Sequence, residues 1–283
     1  MLSILTVNYN GADKTINLLD SLKKQRDSDF RIFVLDNASE KDDFDRLKLF
    51  WPDTIRSDIN LGFSGGCNLG IKKVIENGSE WVILLNNDTW VENGFIARLR
   101  PILEAEEGIV GFAINEGDHI AYGGQIRWLK PYGHHIWNQD MLNIGYLTYA
   151  IGGAMAIHKD VFKKIGLLDE KYFLYFEDQD FSIRAKKAGI KISIIKDVMI
   201  YHHVSSTTKK LGSQVLLRYH YRNALYFNLK NGPWYIKFAI WPWSWIIAVK
   251  QLIKMAMRIN AEQSHAILNG VADFYINKFG KIT

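Results

Sequence analysis

The chain has 283 residues, 48% of them hydrophobic and 23% charged, the composition of an ordinary globular protein with one large domain or two modest ones. Its single cysteine, Cys67, excludes an intramolecular disulfide and is compatible with a cytoplasmic location. The first seven residues lack the basic start and long apolar core of a signal peptide, so we predict that they form a strand.

The net charge of +5 is unevenly distributed along the chain. Residues 206–283 carry 11 Lys and Arg against 2 Asp and Glu, whereas residues 1–205 carry 24 basic and 28 acidic residues. The local charges are therefore +9 and −4. We interpret the chain as an acidic-leaning domain, residues 1–205, followed by a basic and aromatic extension, residues 206–283. A basic extension favours an anionic partner, either nucleic acid or a membrane surface.

In the first third of the chain, short apolar runs alternate with segments of helical spacing. The segments in chain order are a strand at 3–7, a helix at 12–24, a strand at 30–35, helices at 42–50 and 68–76, and a strand at 81–85. This alternation is typical of a parallel sheet with crossover helices.

Polar clusters follow two of these strands directly. Asp36 and Asn37 follow the second strand, and Asn86, Asn87 and Asp88 follow the strand that begins at Trp81. Ligands of open α/β sheets bind outside the carboxyl ends of the strands. An Asp at such a place is a hard oxygen ligand, suited to Mg²⁺ or Mn²⁺ that bridges to a diphosphate. The alternative for either cluster alone is a polar turn.

A glycine-rich stretch, residues 60–70, precedes the third helix and is predicted to be a loop. Its glycines permit close approach of the backbone to a ligand. The stretch lacks the Lys-Ser/Thr of a Walker motif and the GxGxxG pattern, so a flexible surface loop is the alternative.

The middle of the chain continues with less regular signals. The predicted segments are a helix at 92–102, a strand at 109–114, hairpins or long loops at 115–147, a strand at 149–157, helices at 158–165 and 178–188, and strands at 191–195 and from 198 onward. The irregular stretch is a place where an acceptor site could be built. Gly152 and Gly153 interrupt the strand at 149–157 and leave room for a ligand or a bulge.

Two further groups of polar residues lie downstream. Glu177 and Asp178 follow an aromatic cluster at the start of a predicted helix, where acids are favoured by the helix dipole. One cap needs only one acid, and partial burial among aromatic rings is what a general base requires. His202 and His203 follow a strand, and they are either structural or metal-binding.

Taken together, the chain resembles family 2 glycosyltransferases with the GT-A fold, and most closely the bacterial rhamnosyltransferase-like branch. The matching segments, in the family's order, are 7–10, 36–39, 60–63, 65–68, 85–89, 152–155, 166–169, 175–180, 201–203 and 222–223. The resemblance implies a Rossmann-like, mixed but mainly parallel sheet flanked by helices, with a helical, aromatic and basic C-terminal extension.

The resemblance also implies roles for individual residues. Asp36 would recognise the nucleobase, Asp88 would bind Mg²⁺ or Mn²⁺ with His202, and Asp178 would be the catalytic base with Glu177 beside it. Asn86 stands where the family has the first Asp of its metal-binding motif, so the chain departs from the family's pattern at this position. The implied nucleotide and donor-binding residues are Thr6, Val7, Asn8, Asn10, Asp36, Asn37, Asn60, Gly65, Asn68, Asn86 and Asn87. The implied sugar pocket, for the acceptor or for the donor sugar, contains Gly152, Gly153 and Tyr175.

The implied reaction is inverting transfer of a sugar from a nucleotide-diphosphate donor, with dTDP-rhamnose favoured, to a saccharide or lipid-linked saccharide in cell-surface polysaccharide synthesis. A double displacement would need a second nucleophilic carboxylate, for which the sequence offers no candidate. The alternatives are a UDP-sugar donor of galactose, galactofuranose or N-acetylhexosamine, and a non-catalytic binder of sugar nucleotides.

The extension contains a predicted helix at 218–228 and an aromatic, apolar segment at 238–249. That segment is shorter than the roughly 20 residues of a membrane span and contains Pro242. Tryptophan beside Lys and Arg is typical of a segment lying on a bilayer, here on the inner face of the cell membrane. Packing on the first domain, or a homodimer interface, is the alternative. The acidic-leaning domain and the missing nucleic-acid motif argue against nucleic acid as the partner.

Overall fold

A computed structural model describes residues 1–138, 145–202 and 213–282 of the chain. The predicted boundary between residues 205 and 206 lies outside the described residues, and so does His203. The strands are β1 Leu2–Asn8, β2 Phe30–Asp36, β3 Ile55–Arg56, β4 Trp81–Leu85, β5 Thr89–Trp90, β6 Gly108–Asn115, β7 Ile120–Ala121, β8 Gly124–Gln125, β9 His134–His135, β10 Thr148–Tyr149, β11 Ala154–His158 and β12 Lys191–His202. The helices are α1 Ala12–Lys23, α2 Lys41–Phe50, α3 Gly62–Glu76, α4 Phe95–Glu104, α5 Lys159–Ile165, α6 Glu177–Lys187, α7 Ser213–Asn231, α8 Trp234–Ala256 and α9 Ala261–Tyr275.

The main sheet of the described residues has the strand order β3-β2-β1-β4-β11-β6-β12-β5, with β7 paired to β6. The strands β1 to β4 run parallel, as predicted, because helices cross over between them. The strand β11 runs antiparallel to both β4 and β6, so the sheet is mixed. The carboxyl ends of β1, β2 and β4 therefore share one edge with the beginning of β11. A second sheet, β10-β8-β9, is small and antiparallel.

Helices cover both faces of the main sheet, and a hydrophobic core lies on each side. On one side Leu18 of α1 and Phe95 of α4 pack on the sheet. On the other side Ile71 of α3, Phe162 of α5 and Phe181 of α6 do so. The strand β4 is buried along its whole length, which explains its uninterrupted apolar sequence.

The glycine-rich stretch differs from the prediction. It was expected to be a loop before a helix at about residue 68, but α3 begins at Gly62 and contains most of it. A Cβ atom at Gly70 would lie 2.4 Å from Cδ1 of Leu5, and one at Gly66 would lie 3.0 Å from Cγ1 of Val7. These glycines bring the helix close to β1, so their function here is packing between a helix and a strand.

Two predicted strand boundaries were also wrong. The segment 149–157 is not one strand, because Gly152 and Gly153 form a turn between β10 and β11. The two predicted segments at 191–195 and 198–203 form the single strand β12 as far as His202, with an irregular register between Ile195 and Met199. The pairing with β6 shifts its register here while the strand continues, and the sequence pattern alone suggested that one strand ended and another began.

The three C-terminal helices pack on one another, and α7 also contacts α6 and the segment before it. Arg218 of α7 forms two hydrogen bonds with Asp273 of α9, at 2.6 and 2.9 Å. Lys230 of α7 contacts Asp169 at 2.7 Å and Asp180 of α6 at 2.8 Å. The predicted helix at 218–228 is part of α7, and the aromatic segment at 238–249 is part of α8. Within the described residues, no helix has the length and apolar character needed to cross a membrane.

Candidate functional site

A cavity of about 480 Å³ opens at the carboxyl end of β4. The cavity is bounded by the end of β4, the turn before β11, the start of α6, the end of β12 and one turn of α7. The predicted residues that line it are Asn86, Asn87, Asp88, Gly152, Gly153, Tyr175, Glu177, Asp178 and His202. Tertiary folding thus brings together four segments that are separated by up to 116 positions in sequence.

Asp88 and His202 lie side by side on one wall of this cavity. The Oδ1 atom of Asp88 is 3.3 Å from Nε2 of His202, and Nδ1 of His202 is 3.8 Å from Oε1 of Glu116. The antiparallel pairing of β12 with β5 produces this contact, because His202 is in register with Thr89. Burial lowers the pKa of His202, but the hydrogen bond and charge of Asp88 and the charge of Glu116 outweigh it and raise that pKa. Lys14 of α1 approaches the other oxygen of Asp88 at 3.8 Å.

Glu177 and Asp178 begin α6 but occupy different environments. Glu177 is buried at 6% exposure, whereas Asp178 is partly exposed to the cavity. The carboxylate of Asp178 accepts hydrogen bonds from the backbone N–H groups of Gln179, at 2.7 Å, and Gly152, at 3.2 Å. A Cβ atom at Gly152 would lie 3.1 Å from Cβ of Asp178. The small residue therefore lets the turn donate to the carboxylate directly.

The pKa values of the two acids differ because their surroundings differ. Burial, followed by the neighbouring charge of Asp178, raises the pKa of Glu177 to about 8. Burial raises the pKa of Asp178 to about 6, opposed by its hydrogen bonds to the backbone of Gly152 and Gln179. At neutral pH Glu177 is therefore protonated, whereas Asp178 is mainly a carboxylate that lines the cavity. This distribution suits Asp178 to accept a proton from a bound hydroxyl.

The remaining predicted residues are not among the described residues that line this cavity. They are Thr6, Val7, Asn8, Asn10, Asp36, Asn37, Asn60, Gly65 and Asn68. Several of them are occupied by contacts within the protein. Asn8 donates to Asp36 at 3.0 Å and to Asp43 at 2.9 Å, and it accepts from Thr15 at 2.8 Å.

The asparagines near α3 make similar internal contacts. Asn37 donates to the carbonyl oxygen of Gly62 at 2.9 Å and accepts from the N–H of Leu61 at 3.0 Å, so it holds the beginning of α3. Asn68 donates to the carbonyl oxygen of Leu168 at 2.9 Å and accepts from its N–H at 3.0 Å. These side chains connect the elements that surround the site.

The cavity also has a wall that the sequence did not predict. His220 of α7 stacks on the ring of Tyr175 at 4.2 Å between centroids, and Tyr132 meets His220 edge-on at 4.9 Å. Burial lowers the pKa of His220 to about 4, so its ring is neutral at physiological pH. Tyr132 lies in the irregular stretch, and no pattern there singled it out. Glu116 also lines the cavity and directly follows β6. It could have been predicted in the same way as Asp88, as an acid at the carboxyl end of a strand.

The residues present fit a divalent cation. One carboxylate oxygen and one imidazole nitrogen on the wall of the cavity suit Mn²⁺, and Mg²⁺ commonly takes one or two carboxylates together with substrate phosphates. Within the described residues, no group of three or more His, Cys, Asp or Glu side chains is arranged to hold a metal ion. The protein ligands would therefore be completed by the substrate.

An Asp-His pair and a cavity-facing acid at the strand ends of a mixed α/β sheet occupy the place where open α/β folds bind their ligands. Residues 3–166 match the family model described as glycosyl transferase family 2, so the chain belongs to that family. The family expected from the sequence is confirmed.

Curated relatives are similar over most of the chain. The dTDP-rhamnosyl transferase RfbF of Shigella flexneri is 26% identical over 244 residues, covering 80% of this chain and 79% of the relative. The N-acetylglucosaminyl-diphospho-decaprenol L-rhamnosyltransferase of Mycobacterium tuberculosis is 21% identical over 268 residues, covering 83% and 86%. The resemblance to rhamnosyltransferases is thus found in relatives of modest identity.

Solved structures show the same fold. S. aureus TarS 1-349, in complex with UDP-GlcNAc, superimposes with a TM-score of 0.61 at 15% identity, covering 96% of this chain and 80% of that one. The mannosyltransferase PcManGT from Pyrobaculum calidifontis, in complex with GDP-Man and Mn²⁺, gives a TM-score of 0.53 at 12% identity, covering 98% and 87%. At this identity the likeness establishes the fold alone, and it confirms the expected GT-A architecture.

Proposed function

We propose that this protein is an inverting glycosyltransferase that moves a sugar from a nucleotide-diphosphate donor to a saccharide hydroxyl. The observation that carries the proposal is the carboxylate of Asp178, which faces the same cavity as Asp88 and His202. A base and a candidate cation site on one cavity are what a displacement at an anomeric carbon needs.

In the proposed reaction Asp178 accepts the proton of the acceptor hydroxyl while its oxygen forms a bond to the anomeric carbon. The bond from that carbon to the diphosphate oxygen breaks, and the nucleoside diphosphate leaves with the electron pair. A divalent cation bound at Asp88 and His202 would supply Lewis-acid stabilisation of the diphosphate. Lys14, 3.8 Å from Asp88, adds a fixed positive charge beside that place. Because there is one displacement, the anomeric configuration is inverted.

The similarity to two rhamnosyltransferases favours dTDP-rhamnose as the donor. The second of them acts, by its name, on a diphospho-decaprenol acceptor, which favours a lipid-linked saccharide as the acceptor here. The product would belong to a cell-surface polysaccharide such as an O-antigen, a capsule or the cell wall.

The test is a screen of nucleotide-sugars in which release of the nucleoside diphosphate is measured. We expect dTDP-rhamnose to give the highest rate, and a UDP-hexose giving the highest rate would replace the donor assignment. In Asp178→Asn the side chain keeps its size but cannot accept a proton, so kcat should fall about 10²–10⁴-fold with donor KM little changed. Glu177→Gln is the matched control. If it loses more activity than Asp178→Asn, the base has been assigned to the wrong acid.

We further propose that α8 attaches the protein to the inner face of the cell membrane. The helix is 23 residues long, about 34 Å, and most of its exposed side chains are large and apolar. Exposed large side chains on it include Trp234 at 73%, Phe238 at 71%, Trp245 at 69% and Ile246 at 65%. Its buried face carries three isoleucines and two polar residues, Ser244 and Gln251. Ser244 contacts the hydroxyl of Tyr275 at 2.7 Å, and Gln251 accepts from Ser264 at 3.0 Å.

The charge around α8 favours a lipid surface over a protein partner. Between Asp197 and Glu262 the sequence contains no Asp or Glu. Lys237 and Lys250 are exposed on the helix itself, and Arg258 is exposed just after it. Tryptophan together with Lys and Arg, beside an apolar face, is the composition of helices that lie in a bilayer interface. A membrane-bound transferase would meet a lipid-linked acceptor at the same surface.

A further inference from the structure

The loop that precedes the catalytic acids has a conformation that its own sequence does not favour. Phe173, Tyr175 and Phe176 have φ angles of 64°, 70° and 75°, a left-handed region that bulky aromatic residues rarely adopt. Directly after this loop α6 begins with Glu177 and Asp178. Tyr175 itself lines the cavity. The surroundings must therefore hold the loop, and the position of Asp178 depends on how firmly they do so.

One support comes from α3. The carbonyl oxygen of Phe173 accepts a hydrogen bond from the N–H of Phe63 at 2.7 Å. Gly62, with a φ of 73°, allows this approach, since a Cβ atom there would lie 2.4 Å from that carbonyl oxygen. This contact fixes one side of the loop at a single point.

The other support comes from α7, and it is denser. The side-chain nitrogen of Asn223 lies within hydrogen-bonding distance of three loop carbonyl oxygens, those of Leu174 at 2.8 Å, Tyr172 at 3.0 Å and Tyr175 at 3.1 Å. Its side-chain oxygen accepts from Nε of Arg222 at 2.9 Å, which fixes the orientation of the amide. Asn223 is completely buried.

Arg222 extends the same contact to the C-terminal segment. Its guanidinium group donates to the carbonyl oxygens of Tyr172 at 3.1 Å, Lys171 at 3.5 Å, Gly280 at 2.9 Å and Lys278 at 3.3 Å. Arg222 is completely buried, and burial lowers its pKa to about 10. Burying a cation is unfavourable by itself, and the hydrogen bonds to these carbonyl oxygens offset that cost.

We propose that Asn223, oriented by Arg222, is a positioning residue that holds the 172–176 loop and thereby places Asp178 for proton transfer. Through this pair α7, which follows β12 in sequence, contributes to the geometry of the catalytic site. Removing the amide would leave the carbonyl oxygens of Leu174 and Tyr175 without this donor and would free a strained segment to relax. Chemistry depends on the placement of reacting groups more steeply than donor binding does.

The test compares Asn223→Ala with Asn228→Ala. Asn228 is a matched control because it lies on the same helix and is only 1% exposed. Its side chain donates to the carbonyl oxygen of Ala224 and accepts from the N–H of Leu129, and has no hydrogen bond to the 172–176 loop among the described contacts. Hydrogen exchange of a peptide spanning residues 171–177 is measured in each variant, together with kcat and KM for the donor. A thermal melt of each variant reports the general loss of stability.

We expect faster exchange of the 171–177 peptide and a fall in kcat of about 10²-fold in Asn223→Ala, with donor KM nearly unchanged. Asn228→Ala should lower the melting temperature comparably while both readouts stay near wild type. Asn223→Asp keeps the volume but replaces the donor by a carboxylate, so it should be at least as impaired as Asn223→Ala.

The proposal is overturned if Asn223→Ala retains wild-type exchange and kcat, or if Asn228→Ala is impaired equally in both. The kcat result rests on the proposed transferase activity, whereas hydrogen exchange does not. A wild type that turns over no donor would therefore count against the proposed function, and the loop would still be judged by its exchange.

Discussion

Individual residues of the site are distinguished by their neighbours more than by their type. Asn8, Asn37 and Asn68 are bonded to other parts of the protein, whereas Asn87 lines the cavity and also donates to Thr15. Asp88 and Asp178 present carboxylate oxygens to the cavity. One prediction concerns Asp88, and another concerns Glu177, the buried neighbour of Asp178.

The first concerns the cation. Asp88→Ala removes the carboxylate that would bind it, so release of nucleoside diphosphate should be abolished. EDTA should suppress the wild type until Mg²⁺ or Mn²⁺ is restored, and His202→Ala should raise the cation concentration needed. Asp118→Ala, at an exposed acid, is the control and should behave as wild type. Full turnover in the presence of chelator would contradict the cation assignment.

The second concerns the buried acid beside the base. The pKa of Glu177 is raised to about 8, so between pH 4.5 and 8 the folded protein binds a proton that the unfolded chain has released. Its contribution to stability is therefore lost as pH rises through this range. Glu177→Gln removes that loss and should stabilise the fold by on the order of 1 kcal/mol or more at pH 8, because one pKa unit corresponds to about 1.4 kcal/mol.

Urea unfolding at several pH values between 5 and 9 measures this difference. The gain in Glu177→Gln should shrink toward zero at low pH. Glu104→Gln, on the exposed surface of α4, controls for the loss of one negative charge. A stability gain in Glu177→Gln that does not change with pH would show that the cause is packing, not ionisation.

At the scale of elements, the closest packing in the site's support is between α3 and β1. Ala usually stabilises a helix by about 0.5–1 kcal/mol relative to Gly. In Gly70→Ala, however, the new methyl group would lie 2.4 Å from Cδ1 and 3.1 Å from Cγ of Leu5, so this buried side chain, 1% exposed, would have to shift. Overpacking of this kind costs about 1–3 kcal/mol, so the net effect should be destabilising by roughly 1 kcal/mol.

Chemical denaturation of Gly70→Ala measures the net sign. Lys72→Ala, on the exposed face of the same helix, should be near neutral. If Gly70→Ala is more stable than wild type, α3 and β1 can move apart to accept the methyl group without a loss of folding stability, and the prediction is wrong.

At the scale of the molecule, positive charge and exposed apolar surface lie on the same C-terminal unit. Replacing Trp234, Phe238 and Trp245 by Ser should release the protein from anionic vesicles, because all three side chains are largely exposed. Each Lys or Arg near an anionic surface contributes about 1 kcal/mol, so salt should weaken binding of the wild type without abolishing it. Co-sedimentation with vesicles of neutral or anionic lipid measures both effects.

Trp243→Ser is the matched control for this experiment. Trp243 is partly buried and packs into the cluster with Ile240 and Ile267, so its loss should lower the melting temperature but leave vesicle binding in place. If the wild type ignores vesicles and the triple variant changes from dimer to monomer in sedimentation velocity, the exposed face is a homodimer interface instead.

The sequence by itself determined the fold class and the centre of the site. The buried run from Trp81 to Leu85 and the polar residues that end it specify a strand and its carboxyl end without help from the rest of the chain. The acids at 177 and 178 are likewise placed by the local signal of a helix start. Such features depend on a few neighbouring residues, and periodicity reports them directly.

Only the tertiary structure decided which polar residues face the cavity and which are bonded inside the protein, because that depends on partners far along the chain. It joined Asp88 to His202 through the pairing of β5 with β12, and it brought His220 and Asn223 to a loop almost fifty residues earlier. It also separated Trp243 from the exposed tryptophans, since which side of α8 is buried is set by α7 and α9 rather than by the composition of α8. Long-range packing is a property of the folded chain as a whole, and no local pattern contains it.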